Sequence, residues 1–297
     1  MDYTSMKAFV MVAREGNLTR AAKRLYVTQP ALSLQLKKLQ NGLGISLFER
    51  GSRGMRLTDA GRRLLPSAER VLTSAADFDA AAAALLGQVH GRIKLGTILD
   101  PEFLRLGAYL QLLSVRHPGV AFDLCHGMSG VIANRVAAGE LDVGYTLDVP
   151  GSKQLSERFY VEPLTHFTYQ VVAPSAWASQ IKGKDWSQLS ALPWVGTPPE
   201  SIHHKLLSHC MGAQHKQLNE VARVDLEPSM LDLVRSGVAL SLARDSIALR
   251  ALHAGGIAIA DAVNVQAELA FVCRKDRTEV PLIKAAMEMM RSLWQET

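Results

Sequence analysis

Gln29, Ser33 and Lys37 stand four residues apart, one helical turn from each to the next, and Pro30 lies beside the first. An amide, a hydroxyl and an ammonium on one helix face suit nucleic acid. A Gln amide bonds bidentately to an adenine edge, a Ser hydroxyl serves base or phosphate, and a Lys one turn on anchors a phosphate. Pro30 fits a first helical turn, where its missing N–H removes no bond, and Thr28 stands just ahead of it. Ala31, Leu32, Leu36 and Leu39 give that helix one apolar face. Further along, Arg50, Arg53 and Arg56 flank Gly51 and Gly54. An Arg at a turn tip can enter a minor groove, while its neighbours face the backbone.

The elements that must hold these groups can be read around them. Ala21, Ala22 and Leu25 share the face of a short helix with Thr19 or Asn17 as its N-cap, and a sharp break separates it from the helix of Pro30. Met6, Phe9, Val10 and Ala13 predict a third helix that closes a three-helix core. Leu47–Arg50 and Met55–Thr58, joined by Gly51-Ser52-Arg53-Gly54, read as two short strands and a turn. The whole is a winged helix-turn-helix, which reads duplex DNA through its second helix. Charge agrees. Residues 1–65 hold twelve Lys and Arg against four acids, whereas the entire chain is only +5, so the remainder is slightly negative. A basic head on a near-neutral body points to a polyanion.

Residues 1–60 resemble the N-terminal domain of LysR-type transcriptional regulators. Ala21-Ala22, Thr28-Gln29-Pro30-Ala31-Leu32-Ser33, Leu36-Lys37-Lys38-Leu39, Gly44 to Arg50 and Leu57-Thr58-Asp59-Ala60-Gly61 stand in that family's order and spacing. The resemblance implies a sequence-specific regulator with duplex DNA and a small-molecule effector as partners, and leaves RNA polymerase open as a third. DNA contacts would come from Thr28, Gln29, Pro30, Ser33, Lys37, Arg50, Arg53 and Arg56. Two positions depart from the common pattern: Leu34 stands where a polar or basic residue is frequent, and Gln40 where Glu is usual.

Beyond the head, Leu64, Ala68, Val71, Ala75, Phe78, Ala82 and Leu85 alternate at four and three, a heptad seam held over three repeats. A helix of roughly 40 Å at 1.5 Å per residue overhangs a 60-residue domain, so pairing with a second copy is expected, with Leu64, Val71, Phe78 and Leu85 as its anchors. The family's linker helix dimerises in this way, and a homodimer or homotetramer follows. Pro66 should kink this helix or mark its start. Gly87 to Gly91 reads as a hinge.

After the hinge, strands alternate with helices. Strands are expected at Arg92–Gly96, Val120–Leu124, Leu141–Tyr145, Tyr169–Ala173, Trp194–Gly196, Val238–Leu242 and Ala270–Cys273. Helices are expected at Phe103–Val115, Val131–Ala138, Ile202–His209, Met230–Ser236 and Pro281–Trp294. This is the texture of a parallel α/β sheet. The family's effector domain, similar in architecture to periplasmic binding proteins, has two α/β lobes with a cleft between them. The expected fold class is therefore multidomain: an all-α winged helix-turn-helix over 1–60, a linker helix and hinge over 61–90, and a two-lobed α/β domain over 91–297. Lobe one would take 91–165 and 268–297, and lobe two 166–267.

Ligands of open α/β sheets bind beyond the carboxyl ends of strands, near helix N-termini. That rule selects Thr97, Ile98, Leu99, Asp100, Met128, Ser129 and Thr146 on one side, and Pro198, Pro199 and Glu200 on the other. Hydroxyls and helix N-termini suit a small polar or anionic molecule, whereas Asp100 and Glu200 leave room for a cationic group. The GxSxG, Walker A, HExxH and GxGxxG motifs are all absent, so neither an enzyme nor a bound cofactor is expected. His203, His204, His209 and Cys210 keep a metal- or redox-responsive regulator open. A catalytic α/β domain localised by a basic head is the other alternative. Three cysteines without CxxC spacing, an N-terminus that enters the first helix directly and the lack of an apolar run near ~20 residues predict a cytoplasmic protein without a membrane partner.

Overall fold

The computed structural model describes residues 2–51, 54–85, 89–98 and 100–295. Arg53, Leu99 and Gly87, all singled out above, lie outside the described residues. The chain divides into two compact units, 1–86 and 87–297.

The first unit contains α1 (Tyr3–Glu15), α2 (Leu18–Arg24), α3 (Gln29–Leu43), β1 (Phe48–Gly51), β2 (Gly54–Leu57) and α4 (Asp59–Ala84). Phe9, Val12, Ala21, Ala22, Leu32, Leu36, Leu39, Leu47 and Phe48 form its core, with Phe9 and Phe48 edge to face at 5.6 Å. The α2 cap is Asn17, whose Oδ1 accepts from the Thr19 and Arg20 amides. Thr19 itself lies inside the helix. Thr28 caps α3, Pro30 sits in its first turn, and Thr58 caps α4.

Gln40 closes the joint between recognition helix and wing. Its Oε1 accepts from the Leu47 amide at 2.7 Å and the Phe48 amide at 3.3 Å, two donors at the entrance to β1 that would otherwise be orphaned. A carboxylate offers the same acceptor, which explains why Gln and Glu are alternatives here. Gly61 is required for closeness, because a Cβ there would stand 2.2 Å from the Leu47 carbonyl oxygen.

Helix α4 starts at Asp59 and runs through Pro66 as one element of 26 residues, so Pro66 is not its start. Leu64, Leu65 and Ala68 pack on the head core. Further along, Val71, Phe78 and Leu85 are exposed, Phe78 by 74%.

The second unit contains β3 (His90–Thr97), α5 (Leu106–Arg116), β4 (Gly119–His126), α6 (Ser129–Ala137), β5 (Val143–Asp148), α7 (Gln154–Arg158), β6 (Phe159–Pro174), α8 (Ala178–Ile181), α9 (Trp186–Ser190) and β7 (Pro193–Gly196). It continues with α10 (Ile202–Met211), β8 (Asn219–Arg223), α11 (Glu227–Arg235), β9 (Ser241–Arg244), α12 (Asp245–Ala254), β10 (Ile257–Arg274) and α13 (Pro281–Gln295). Six strands form one sheet in the order β4-β3-β5-β10-β6-β9, and β7 pairs with β8 separately.

The expected parallel sheet is mixed. Strands β3, β4 and β5 are parallel, but β10 runs antiparallel to both β5 and β6, and β9 antiparallel to β6. Helix α12 carries the chain from β9 over to β10, so those two strands run the same way and both lie antiparallel to β6 between them. Strands β6 and β10 are 16 and 18 residues long, far beyond the five- and four-residue segments expected. Polar residues such as Glu162, Thr165, His166, Asn264 and Glu268 interrupt the apolar runs without ending the strands. Their ladder shifts register between Leu269 and Ala270, opposite Thr165 and Pro163.

Helix α5 begins three residues later than the spacing predicts, because Arg105 ahead of it is left-handed at φ 51°. Strand β9 likewise begins at Ser241 rather than Val238. Among the described residues no helix is long and apolar enough to cross a membrane.

Replacing Gln40 with Leu should destabilise the head by about 1–3 kcal/mol, since two amides lose their acceptor. Gln40→Glu should stay within about 0.5 kcal/mol of the parent. Urea unfolding of the two variants, followed through the head's transition, checks this.

Candidate functional site

The outer face of the helix-turn-helix is polar and exposed. Gln29 begins α3, and its Oε1 accepts from Thr19 Oγ1 at 3.1 Å, which fixes the amide against α2. That oxygen has a second lone pair, and the amide nitrogen keeps both donors, so the group can still meet an adenine edge. Thr28, Pro30 and Lys37 are exposed and Ser33 half-buried along the same helix. Thr28 Oγ1 accepts from the Ala31 amide, which makes this residue first a cap. Leu34 is 68% exposed on this helix.

Strand pairing sets the wing arginines apart. Arg56 lies opposite Glu49 and Arg50 opposite Met55, so the two arginines emerge on different faces of the ribbon. Arg50 shares its face with Phe48, which enters the core, and both arginines are exposed.

In the second unit the selected strand ends converge from both flanks of the sheet. Ser129, Thr146, Pro199 and Glu200 line a cavity of about 360 Å³ together with Gly130, Asn134, Gln154, Arg158, Ser201, His204, Lys205 and Ser208. Among the described residues, three polar bridges cross between the flanks. The Gly130 amide donates to the Glu200 carbonyl at 2.9 Å, and a Cβ on Gly130 would stand 2.7 Å from that oxygen. Lys205 Nζ meets Asp148 Oδ1 at 2.6 Å, while Asp148 Oδ2 is buried and has no hydrogen-bond partner among the described residues. Arg244 Nη2 donates to Asp100 Oδ2 at 2.8 Å.

Not every selected residue faces this cavity. Thr97 turns its hydroxyl to Cys125 and His126 within the sheet, and Ile98 is core. Met128 caps α6, and the Pro198 carbonyl accepts from the Ser201 amide in a turn. Ser129 lines the cavity, yet its hydroxyl is already bound to Thr146 Oγ1 at 2.9 Å, the Leu147 carbonyl at 3.1 Å and the Leu147 amide at 2.7 Å. Asn134, Lys205 and Ser208 were missed by the strand-end rule. The signal for them lies one turn along α6 from Gly130 for Asn134, and one and two turns along α10 from Ser201 for Lys205 and Ser208, positions that a helix places on the same face.

Arg244 is the centre of a buried charged group. Its side chain is 5% exposed and lies over the Phe103 ring at 4.6 Å. Its Nε is 4.0 Å from Glu227 Oε2, while Glu227 Oε1 bonds His203 Nε2 at 3.0 Å and accepts from Tyr169 OH at 3.3 Å. Burial alone would raise the Glu227 carboxyl, but the His203 hydrogen bond and the charges of His203 and Arg244 outweigh it and hold the carboxyl below its usual range. Burial pushes the Tyr169 hydroxyl well above its ordinary value. For Asp100, burial is likewise outweighed by the Arg244 and Phe103 hydrogen bonds, and its carboxyl is lowered.

The histidines disperse. His203 faces Glu227 and Tyr169, whereas His204 stacks edge to face on His215 at 4.6 Å and lines the cavity. Among the described residues no group of three His, Cys, Asp or Glu is placed to hold a metal ion. The i to i+1 spacing of His203 and His204 puts them about 100° apart on α10, which explains the divergence.

A basic winged helix-turn-helix followed by an α/β domain with a polar cleft defines a DNA-binding regulator that responds to a small molecule. Two family models match: "Bacterial regulatory helix-turn-helix protein, lysR family" over residues 3–62, and "LysR substrate binding domain" over 86–295. The chain belongs to the LysR-type transcriptional regulators. It is 26% identical over 293 residues to the regulator IlvR of Caulobacter vibrioides, covering 98% of this chain and 97% of that one. TfdS of Cupriavidus pinatubonensis is 26% identical over 300 residues, with 98% of each chain covered. Among solved structures, full-length CbnR complexed with its target DNA aligns with a TM-score of 0.63 at 24% identity, over 98% of this chain and 99% of that one. ArgP from Mycobacterium tuberculosis aligns with a TM-score of 0.64 at 19% identity, over 98% and 97%.

Because the Glu227 carboxyl is depressed on folding, its contribution to stability is present above its ordinary pKa of 4.5 and is lost as pH falls through the folded value. The stability gap between the parent and Glu227→Gln should therefore hold steady from about pH 7 to 5 and shrink below about 4.5. Denaturant unfolding of the pair at those pH values measures it.

Proposed function

We propose that a homodimer, or a tetramer built from two such dimers, binds a roughly palindromic operator with α3 of each copy in a major groove. Gln29 and Ser33 read base edges, Thr28 and Pro30 shape the start of that helix, and Lys37 anchors a phosphate. Arg50 and Arg56 reach the backbone from different faces of the wing, and Arg53 takes the flanking minor groove. The exposed polar start of α3, with the Gln29 amide held by Thr19, carries this reading. The division into a head over 1–60, a linker over 61–90 and an effector domain over 91–297 belongs to the same proposal. So do the two lobes, 91–165 with 268–297 and 166–267. The protein acts in the cytoplasm and has no catalytic role.

The effector occupies the cavity lined by Ser129, Thr146, Pro199 and Glu200, with Arg158, His204 and Lys205 favouring a polar or anionic molecule. Thr97, Ile98, Leu99, Asp100, Met128 and Pro198 belong to the same candidate set, selected by their places after strands. Binding favours one arrangement of the cleft over another, and this population shift changes promoter geometry. RNA polymerase is the further partner of that change.

Gln29→Ala should relax specificity at one operator position and cost about 1–3 kcal/mol there, while Lys37→Ala should weaken all sequences alike and lower the salt slope by about one. Titrations of the full chain against single-substituted operators at several salt concentrations separate the two. Equal weakening on every operator by Gln29→Ala would remove Gln29 as a base reader.

Leu64 packs within its own head, so Val71, Phe78 and Leu85 are the anchors left for the partner helix. Phe78→Glu places a charge in the middle of that seam and should shift the protein toward monomer at micromolar concentration, read by sedimentation velocity. An unchanged sedimentation coefficient would place the dimer contact elsewhere.

A further inference from the structure

We propose that Arg244 is the anchor for a carboxylate group of the effector, and that Asp100 occupies the same position as its intramolecular stand-in. This rests on the reading that a small molecule binds between the two flanks of the sheet.

Burying a guanidinium is costly unless it is paired. Arg244 ends β9 and is 5% exposed, so it needs anionic partners in contact. Glu227, on its own flank, approaches only to 4.0 Å through Oε2, beyond a hydrogen bond, and gives its other oxygen to His203 and Tyr169. The close partner is Asp100, at 2.8 Å and from the opposite flank, in the loop after β3.

The two halves of that pair are held very differently. Arg244 is fixed at the end of β9 by burial, and the Phe103 ring that faces it comes from the loop of Asp100. Asp100 is 30% exposed and left-handed at φ 50°, a conformation that Asp tolerates at some cost. It sits in a loop, and its other oxygen accepts from the Phe103 amide at 3.2 Å. A partly exposed loop carboxylate on a fixed, buried guanidinium is the arrangement that a ligand carboxylate can replace. Once displaced, Asp100, already 30% exposed, is solvated, whereas Arg244 stays paired. An Arg fork also matches carboxylate geometry better than an ammonium would. The exchange breaks one of the three bridges between the flanks, so ligand binding is coupled to their arrangement without a further device.

The test is isothermal titration of the full chain with propanoate, succinate and citrate, and with propanamide as the neutral control. It compares the parent, Asp100→Asn and Arg244→Lys. Asn keeps the left-handed loop conformation and removes the competing charge. At least one carboxylate should bind Asp100→Asn about tenfold or more tightly than the parent, and propanamide should not bind. Arg244→Lys should lose that carboxylate. Because a change at buried Arg244 can unfold the domain, the Asp100→Asn result decides, with the thermal midpoint of each variant recorded.

Affinity for every carboxylate unchanged or weakened in Asp100→Asn overturns the proposal, as does the lack of any carboxylate binding to that variant. Binding lost in Arg158→Ala yet indifferent to Asp100→Asn overturns the Arg244 assignment and leaves the cleft reading standing.

Discussion

The ladder between Phe159–Pro174 and Ile257–Arg274 sets the geometry of the effector half. These two strands are long enough to pair along both ends of the sheet, so the elements beside one end and those beside the other share a single hydrogen-bonded backbone. Strands β3, β4 and β5 lie on one side of it and β9 on the other. The loops after β3 and β4, the end of β5, the turn after β7 and the end of β9 are thereby brought together. Polar groups distant in sequence meet there, and the ladder shifts register opposite Thr165 and Pro163.

Electrostatics then decides how the flanks touch. A charged group away from water must be paired, and the groups at the strand ends find their close partners across the gap: Asp100 with Arg244, and Asp148 with Lys205. Gly130 adds a backbone bridge that only a residue without a side chain permits. Each of these contacts is polar, few atoms wide and at a cleft, so each can be exchanged for a contact to a ligand. The head follows the same rule at smaller scale. Asn17, Thr28 and Thr58 satisfy helix N-termini, and Gln40 satisfies the start of the wing, which leaves the outer polar side chains of α3 available to DNA.

Much of this was legible in local pattern. The helix-turn-helix, the wing and the long fourth helix were expected where they occur, because apolar spacing and capping residues act over only a few positions. The strand-end rule reached Ser129, Thr146, Pro199 and Glu200, which do meet around one cavity. Thr97 and Ile98, which it also selected, turn their side chains into the sheet and core, since the rule locates a backbone end and says nothing of side-chain direction. The lengths of β6 and β10 were missed because an exposed polar residue in a strand looks the same in sequence as a strand end. The sheet's mixed direction was missed because alternation of helices and strands does not reveal which strand the chain returns beside.

By itself the sequence determined the reading head: its helices, their caps, the basic excess and the polar face of α3 all follow from spacing within about sixty residues. It also determined that an α/β domain follows, because strand and helix periods are local properties. Only the tertiary structure decided what that domain's strand ends do to one another. Asp100 and Arg244 are 144 positions apart, and their ion pair depends on strand order, register and burial together. No periodicity carries that information, because the energy of a buried charge is set by whatever the whole fold places beside it.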